Sequence, residues 1–244
     1  MLHLAQKIRG ASVTAVDGEI GTLEDFYFEE GHWAVRYLLV DTGKWLNGRR
    51  VLLSPMSVFG EWDVTTIPVR LTRDQVQNSP RFEPADSVSH ETETKVLGYY
   101  GYPYYWGYDS VWGTFDNPGA LLTARSAASP DTNTRGIDPE SRHLRSINKS
   151  TGYHLRAVDG EIGHVDDFLI GEDSWRIRYL VVDTSNWIGG RSVLVSSEAV
   201  EGVDREHEKL RVGVTRDVIE HSPAFESIEA ALDTRETGPP FTFV

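Results

Sequence analysis

The sequence predicts a mainly β protein: two tandem small β-barrels with short helices, joined by an aromatic-rich connector. Three observations carry this expectation. First, AVDGEIGTLEDF at 15–26 recurs as AVDGEIGHVDDF at 157–168, and residues 15–58 align without a gap to 157–200 with 24 of 44 positions identical. LTRDQVQNSPRF at 71–82 then meets VTRDVIEHSPAF at 214–225. The spacing is too long for a solenoid, whose periods run roughly 20–50 residues, so a whole domain is duplicated. Second, each copy reads as short apolar runs punctuated by turn residues, the pattern of a small barrel. Third, the segment between the copies has its own composition. It carries YYGYPYYWGY at 99–108 and the polar stretch TARSAASPDTNTRGIDPESR at 123–142. The boundaries follow: repeat 1 at 1–85, connector at 86–142, repeat 2 at 143–226 and a tail at 227–244.

Each element has a local reason. Asp17-Gly18 and Asp159-Gly160 read as two-residue hairpin turns, because Gly accepts the positive φ of a type I′ turn. Glu29-Glu30-Gly31-His32 marks the next turn. WAVRYLLVDT (33–42) and WRIRYLVVDT (175–184) alternate with the strand period. Trp33, Val35, Tyr37 and Leu39 share one face, taken as inward. Leu38 and Val40, with Leu180 and Val182, are then left outside. RRVLLS and RSVLVS form the following strand, and Ile67, Val69 and Leu71 match Leu210, Val212 and Val214 as the inward side of a later one. Thr72 and Thr215 are placed to cap short helices that stop before Pro80 and Pro223. In the connector, Ser89 caps a helix to about Leu97.

Composition narrows the function. Cysteine is absent, which removes disulfides, thiolate metal sites and a cysteine nucleophile. Net charge is −13, and no stretch clusters Lys and Arg as a phosphate backbone requires, so direct nucleic-acid binding is disfavoured. MLHLAQKIRGAS lacks the apolar run of a signal peptide. No stretch approaches the roughly 18 apolar residues of a membrane helix, so a cytoplasmic location is expected. The pairs Asp17/Glu19, Glu24/Asp25 and Asp166/Asp167 read as structural, since strand neighbours point to opposite faces. His32, His164 and His154 face Ser174, Thr22 and Ser12 in the other copy, so no metal site repeats. The chain also lacks G-x-S-x-G, G-x-G-x-x-G and P-loop patterns. No catalytic residue, metal or cofactor is assigned, and no enzyme activity is expected.

Gly10, Asp17-Gly18, Ile20-Gly21, Asp25-Phe26, Val40-Asp41, Gly48-Arg49 and Val51-Leu52 form a pattern that returns at Gly152, Asp159-Gly160, Ile162-Gly163, Asp167-Phe168, Val182-Asp183 and Gly190-Arg191. This pattern resembles the PRC-barrel family. The family includes the cytoplasmic barrel of the photosynthetic reaction-centre H subunit, the C-terminal domain of a ribosome maturation factor and many stand-alone bacterial proteins. The resemblance implies barrels used as protein-docking modules, not catalysts. Two functions follow from it: a non-catalytic protein-binding scaffold, or an RNA-metabolism or ribosome-assembly accessory acting through a protein partner.

Candidate contact residues come from the pattern. Trp45 and Trp187 occupy matching loops, each either a plug closing a barrel end or an exposed anchor for a partner. Arg49 and Arg191 are expected to pair with Asp41 and Asp183 at the base of those loops. The outer residues Leu38, Val40, Leu180 and Val182 need a cover. The expected cover is the other barrel, or a second copy in a homodimer, with Tyr100, Tyr102, Tyr104, Tyr105 and Trp106 packed along the seam. The partner protein itself is not identifiable from the pattern.

Overall fold

The structure is a computed structural model that describes residues 1–83, 87–106, 110–124, 144–184 and 190–231. Trp187, Tyr108 and most of the polar linker lie outside the described residues. Repeat 1 supplies β1 (Leu2–Leu4), α1 (Ala5–Ile8), β2 (Ser12–Ala15), β3 (Gly18–Glu29), β4 (Ala34–Asp41), β5 (Arg50–Leu53), β6 (Thr66–Pro68) and α2 (Arg73–Gln77). The connector supplies β7 (Ser87–Val88), α3 (His90–Tyr100) and α4 (Pro118–Thr123). Repeat 2 supplies β8 (Leu144–Ser146), α5 (Ile147–Ser150), β9 (His154–Ala157), β10 (Gly160–Gly171), β11 (Ile177–Asp183), β12 (Ser192–Ser196), β13 (Val200–Asp204), β14 (Lys209–Val212) and α6 (Arg216–His221).

The chain divides into two compact units: residues 7–148 with 172–176, and residues 1–6 with 149–171 and 177–244. These are not the contiguous stretches 1–85 and 143–226. The initial strand of each repeat belongs to the unit of the other. In the second-repeat unit β1 pairs with β10, with Leu2 opposite Gly171 and Leu4 opposite Leu169. In the first-repeat unit β8 pairs with β3, with Ser146 opposite Tyr27. Leu4 and Ser146 are matched positions, as are Leu169 and Tyr27, so the exchange is reciprocal. The connector also belongs to the first-repeat unit, where β7 pairs with β8.

Within the first-repeat unit the sheet runs β5-β4-β3-β2-β6, with β8 on the far half of β3. The second runs β12-β11-β10-β9-β14-β13. Neither path closes on itself among the described residues, contrary to the closed barrel expected. In the first unit Pro55 ends β5 by opening a 3-10 turn, where its missing N–H adds nothing to a ladder. Beyond it a single bridge, Val58 to Val69, joins that end of the sheet to the residue after β6.

The local signals hold where they are short-range. Thr72 accepts from Gln75 N at 3.2 Å while Gln75 Oε1 accepts from Thr72 N at 2.9 Å, a complete capping box. Thr215 caps α6 and Ser89 caps α3 through their side chains. The hairpin turn is different from the expected one. Its central residues are Val16 and Asp17, and Gly18 already pairs with Ala15 as the first residue of β3. Asp17 keeps a negative φ, so the turn is not type I′. Its carboxylate is engaged elsewhere, accepting from Arg73 N at the start of α2 at 2.8 Å. Asp159 does the same for Arg216 N at 2.8 Å.

The faces of β4 also differ from those expected: both are buried, Val35, Tyr37 and Leu39 as fully as Leu38 and Val40. Leu38, Val40, Leu180 and Val182 are completely buried, alongside Phe26, Val51 and Leu53 or Phe168 and Val193. Tyr179, on the alternate side of β11, is only half-buried. These four apolar residues are therefore core, not outer contacts. The phase slips for two reasons. Trp33 and Trp175 are turn residues at φ 50° and 57°, not strand residues. Moreover, Tyr27 pairs with Tyr37 and Phe28 with Val35, so Arg36 is the extra residue of a β-bulge.

Candidate functional site

The bulge at Arg36 organises the most elaborate side-chain constellation in the first-repeat unit. An extra residue in one strand re-aims its side chain, and here Arg36 joins the side of the sheet that meets the connector. Its Nη2 and Nε donate to Glu29 Oε2 at 2.5 and 3.2 Å, and its Nη1 donates to the Val111 carbonyl at 2.6 Å. The guanidinium lies 3.9 Å from the ring centre of Tyr105 and 4.7 Å from that of Trp112. Arg36 is 1% exposed. A charge so buried persists only where it is paired and its donors are used, and these contacts supply both.

The connector closes over this arginine from its own local structure. Glu93, one turn into α3, is fully buried and accepts from the Tyr105 hydroxyl. His90 Nδ1 stands 3.9 Å from the same carboxylate, and Trp106 packs edge-on to His90 at 4.5 Å. Trp112 is completely buried and donates its indole N–H to the Ser174 carbonyl at 2.7 Å. Burial raises Glu93 above the ordinary carboxylate range, although His90 and Tyr105 oppose the rise. Burial would raise Glu29 as well, but Arg36 and His32 outweigh it and hold that group at about 2. The ionised Glu29 and the guanidinium thus form a sealed pair, with Glu93 behind Tyr105. This arrangement grips a polypeptide segment against a sheet.

A second site recurs in both units. Asp25 is buried, and its Oδ1 accepts from Asn148 N at 3.1 Å while Oδ2 accepts from the Ser146 hydroxyl at 2.5 Å. Asp167 is buried likewise, accepting from Gln6 N at 3.2 Å and from Phe168 N at 2.7 Å. Each carboxylate thereby holds the end of the incoming strand. Burial raises both, Asp167 to about 6. Gly21 and Gly163 explain how β3 and β10 lie so close to their neighbours. A Cβ at either would fall 2.1 Å from the Asp41 carbonyl oxygen or 1.9 Å from that of Asp183.

These residues carry the family pattern, and the PRC-barrel domain family matches the chain twice, over residues 2–67 and 153–219. The chain belongs to the PRC-barrel family. No curated protein matches it. In this PRC-barrel chain the Asp of each Asp-Phe (Asp25-Phe26 and Asp167-Phe168) holds the exchanged strand's end. The Asp-Gly (Asp17-Gly18 and Asp159-Gly160) is the joint between hairpin and terminal helix.

The remaining candidates are placed as follows. Trp45 is half-buried, with the Arg73 guanidinium 4.5 Å from its ring centre. Arg49 does not pair with Asp41: it donates to the Gln77 carbonyl at 2.6 Å and to that of Ser79. Arg191 reaches the Ile219 carbonyl at 3.3 Å and that of Glu220 instead of Asp183. The reason is the free carbonyls at the end of each terminal helix, which attract a cation that reaches them. Asp41 instead accepts from Gly43 N at 2.8 Å, and Asp183 lies 3.6 Å from His164 Nε2. Among the connector aromatics, Tyr105 is buried, while Tyr100, Tyr102, Tyr104 and Trp106 are half-buried. Tyr100 stacks on Tyr102 at 5.6 Å, and burial pushes the Tyr102 phenol up to about 12.

Sequence reading missed Arg36, Glu29, Glu93 and Trp112. A signal existed: an arginine inside an apolar strand, and a glutamate on the same side of α3 as Val96, one turn on. Among the described residues no group of three His, Cys, Asp or Glu side chains is placed to hold a metal. No helix there is long and apolar enough to cross a membrane.

Proposed function

We propose that the chain is a non-catalytic protein-binding module, a scaffold of two PRC-barrel units resembling the cytoplasmic barrel of the reaction-centre H subunit. One observation supports this reading above the others. The outer face of the first-repeat sheet already holds a polypeptide segment, the connector, through Arg36, Glu93, Tyr105 and Trp112. The face is thus suited to polypeptide recognition by aromatic and charged anchors, the residue types that dominate interfaces. The test is affinity capture with the tagged full chain in a lysate of its own cells, with and without RNase. The expected result is a stoichiometric protein partner that survives RNase. Partners lost on RNase treatment would instead favour a role in RNA metabolism or ribosome assembly.

A further inference from the structure

The solvent-facing side of the second-repeat sheet carries a row of polar residues that strand pairing brings side by side. His154 of β9 lies directly opposite His164 of β10, His164 opposite Asp183 of β11, and Lys209 of β14 beside His154. Each is next in sequence to a buried residue (Leu155, Val165, Val182 or Leu210), so the four polar side chains point away from the core. His154 is exposed, and His164 and Asp183 are half-buried. His164 Nε2 stands 3.6 Å from Asp183 Oδ2, while Lys209 Nζ is drawn towards Glu161 Oε1 at 3.5 Å. The matched residues of the first-repeat unit, in the same register, are Ser12, Thr22 and Asp41. Both units thus keep the carboxylate, and only the second sets two imidazoles beside it.

We propose that His154 and His164 form a binding site for a divalent transition-metal ion such as Zn2+, with Asp183 orienting the His164 imidazole. Directly opposed residues on antiparallel strands hold their Cβ atoms about 4.5–5.5 Å apart. Two imidazoles at that spacing can converge on one ion about 2.0–2.1 Å from each nitrogen. Asp183, beside Nε2, favours the tautomer that leaves the His164 Nδ1 lone pair for the metal, and a carboxylate behind a ligating histidine is the usual support of such sites. The ring of His154 has no hydrogen-bond or ion-pair partner among the described residues, so it gives up no contact in turning to the ion. The protein supplies two ligands and water the rest, which agrees with the lack of any three-residue metal cluster among the described residues. Nitrogen donors select zinc, copper or nickel over magnesium and calcium. The site belongs to one copy alone, so the failure of histidines to repeat between the copies does not bear on it.

The probe is Zn2+ titrated into the tag-free full chain, followed by calorimetry and by the imidazole resonances in NMR spectra. One saturable equivalent is expected, with the rings of His154 and His164 perturbed before those of the other histidines. His154→Gln, His164→Gln and Asp183→Asn should each weaken binding about tenfold or more, the scale on which even a supporting residue of a metal site counts. His154 is exposed, so His154→Gln should keep the metal-free melting curve, which separates loss of the ion from loss of the fold. Added Zn2+ should raise the melting temperature of the wild type and leave that of His154→Gln unchanged. Absence of saturation up to about 1 mM, the weak end of specific recognition, overturns the proposal. So does binding that His154→Gln leaves intact, or a first perturbation at His3, His32, His90, His207 or His221, because the ion then seats elsewhere.

Discussion

The backbone N–H of Asn148 donates to the carboxylate of Asp25 at 3.1 Å, across 123 positions of sequence. Its counterpart joins Gln6 N to Asp167 at 3.2 Å. Together the two bonds fasten each repeat's initial strand into the unit of the other, and they dictate an unusual response to truncation. Removal of residues 1–6 should loosen the second-repeat unit and spare the first. In hydrogen exchange of the chain lacking residues 1–6, protection of amides at 167–171 is expected to fall about tenfold or more relative to the full chain, with 25–29 unchanged. Loss confined to residues 12–41 would mean that β1 serves its own repeat.

Asp167 carries a pH dependence whose sign is fixed by its environment. Burial raises its folded pKa to about 6 from 3.8. The neutral form is the better tolerated one, so the full stabilisation is present below about 3.8 and is lost as pH rises through about 6. Wild type should therefore gain stability relative to Asp167→Asn on acidification from pH 7 to 5, by roughly 1–3 kcal/mol over the whole titration. Glu29, held at about 2, contributes stability present above its ordinary value of 4.5 and lost only in stronger acid, outside this window. Melting curves of both proteins at pH 5, 6 and 7 provide the measurement, and parallel curves would reject the assignment.

Arg36→Ala should be among the most damaging single changes in the chain. It leaves Glu29 buried without its cation and strips Tyr105 and Trp112 of the group between them. Breaking a buried pair by removing one partner costs about 3–5 kcal/mol. Limited proteolysis should open new cleavage at Tyr99–Trp106 before the rest of the chain is attacked. Tyr105→Ser should do the same more mildly, and Tyr99→Ser, which loses an exposed ring and one bond to the Gln75 carbonyl, least of all.

Glycine substitutions separate close approach from mere flexibility. Gly21→Ala and Gly163→Ala place a methyl inside the Asp41 or Asp183 carbonyl oxygen and should unfold the respective unit or shift its melting sharply down. Gly98→Ala, in the exposed interior of α3 with nothing within 4 Å, should instead stabilise by about 0.5–1 kcal/mol. Equal effects at all three sites, read by thermal melts, would contradict the packing described.

What the sequence by itself determined is everything carried by near neighbours. The duplication, the capping at Thr72, Ser89 and Thr215, the glycines of the family pattern and the strand runs all follow from propensities acting over a few residues. Only the tertiary structure decided which partner each element takes. Leu2-His3-Leu4 and Leu144-Arg145-Ser146 are matched strands, and nothing local tells either one to prefer β3 or β10. The bulge at Arg36 breaks the strict alternation on which the face assignment rested, because one extra residue shifts the phase of the side chains on either side of it. Arg49 and Arg191 pass over the aspartates nearby in sequence for helix carbonyls about 30 residues away. Strand propensity is short-ranged, whereas the choice of partner is settled by the packing of the whole chain.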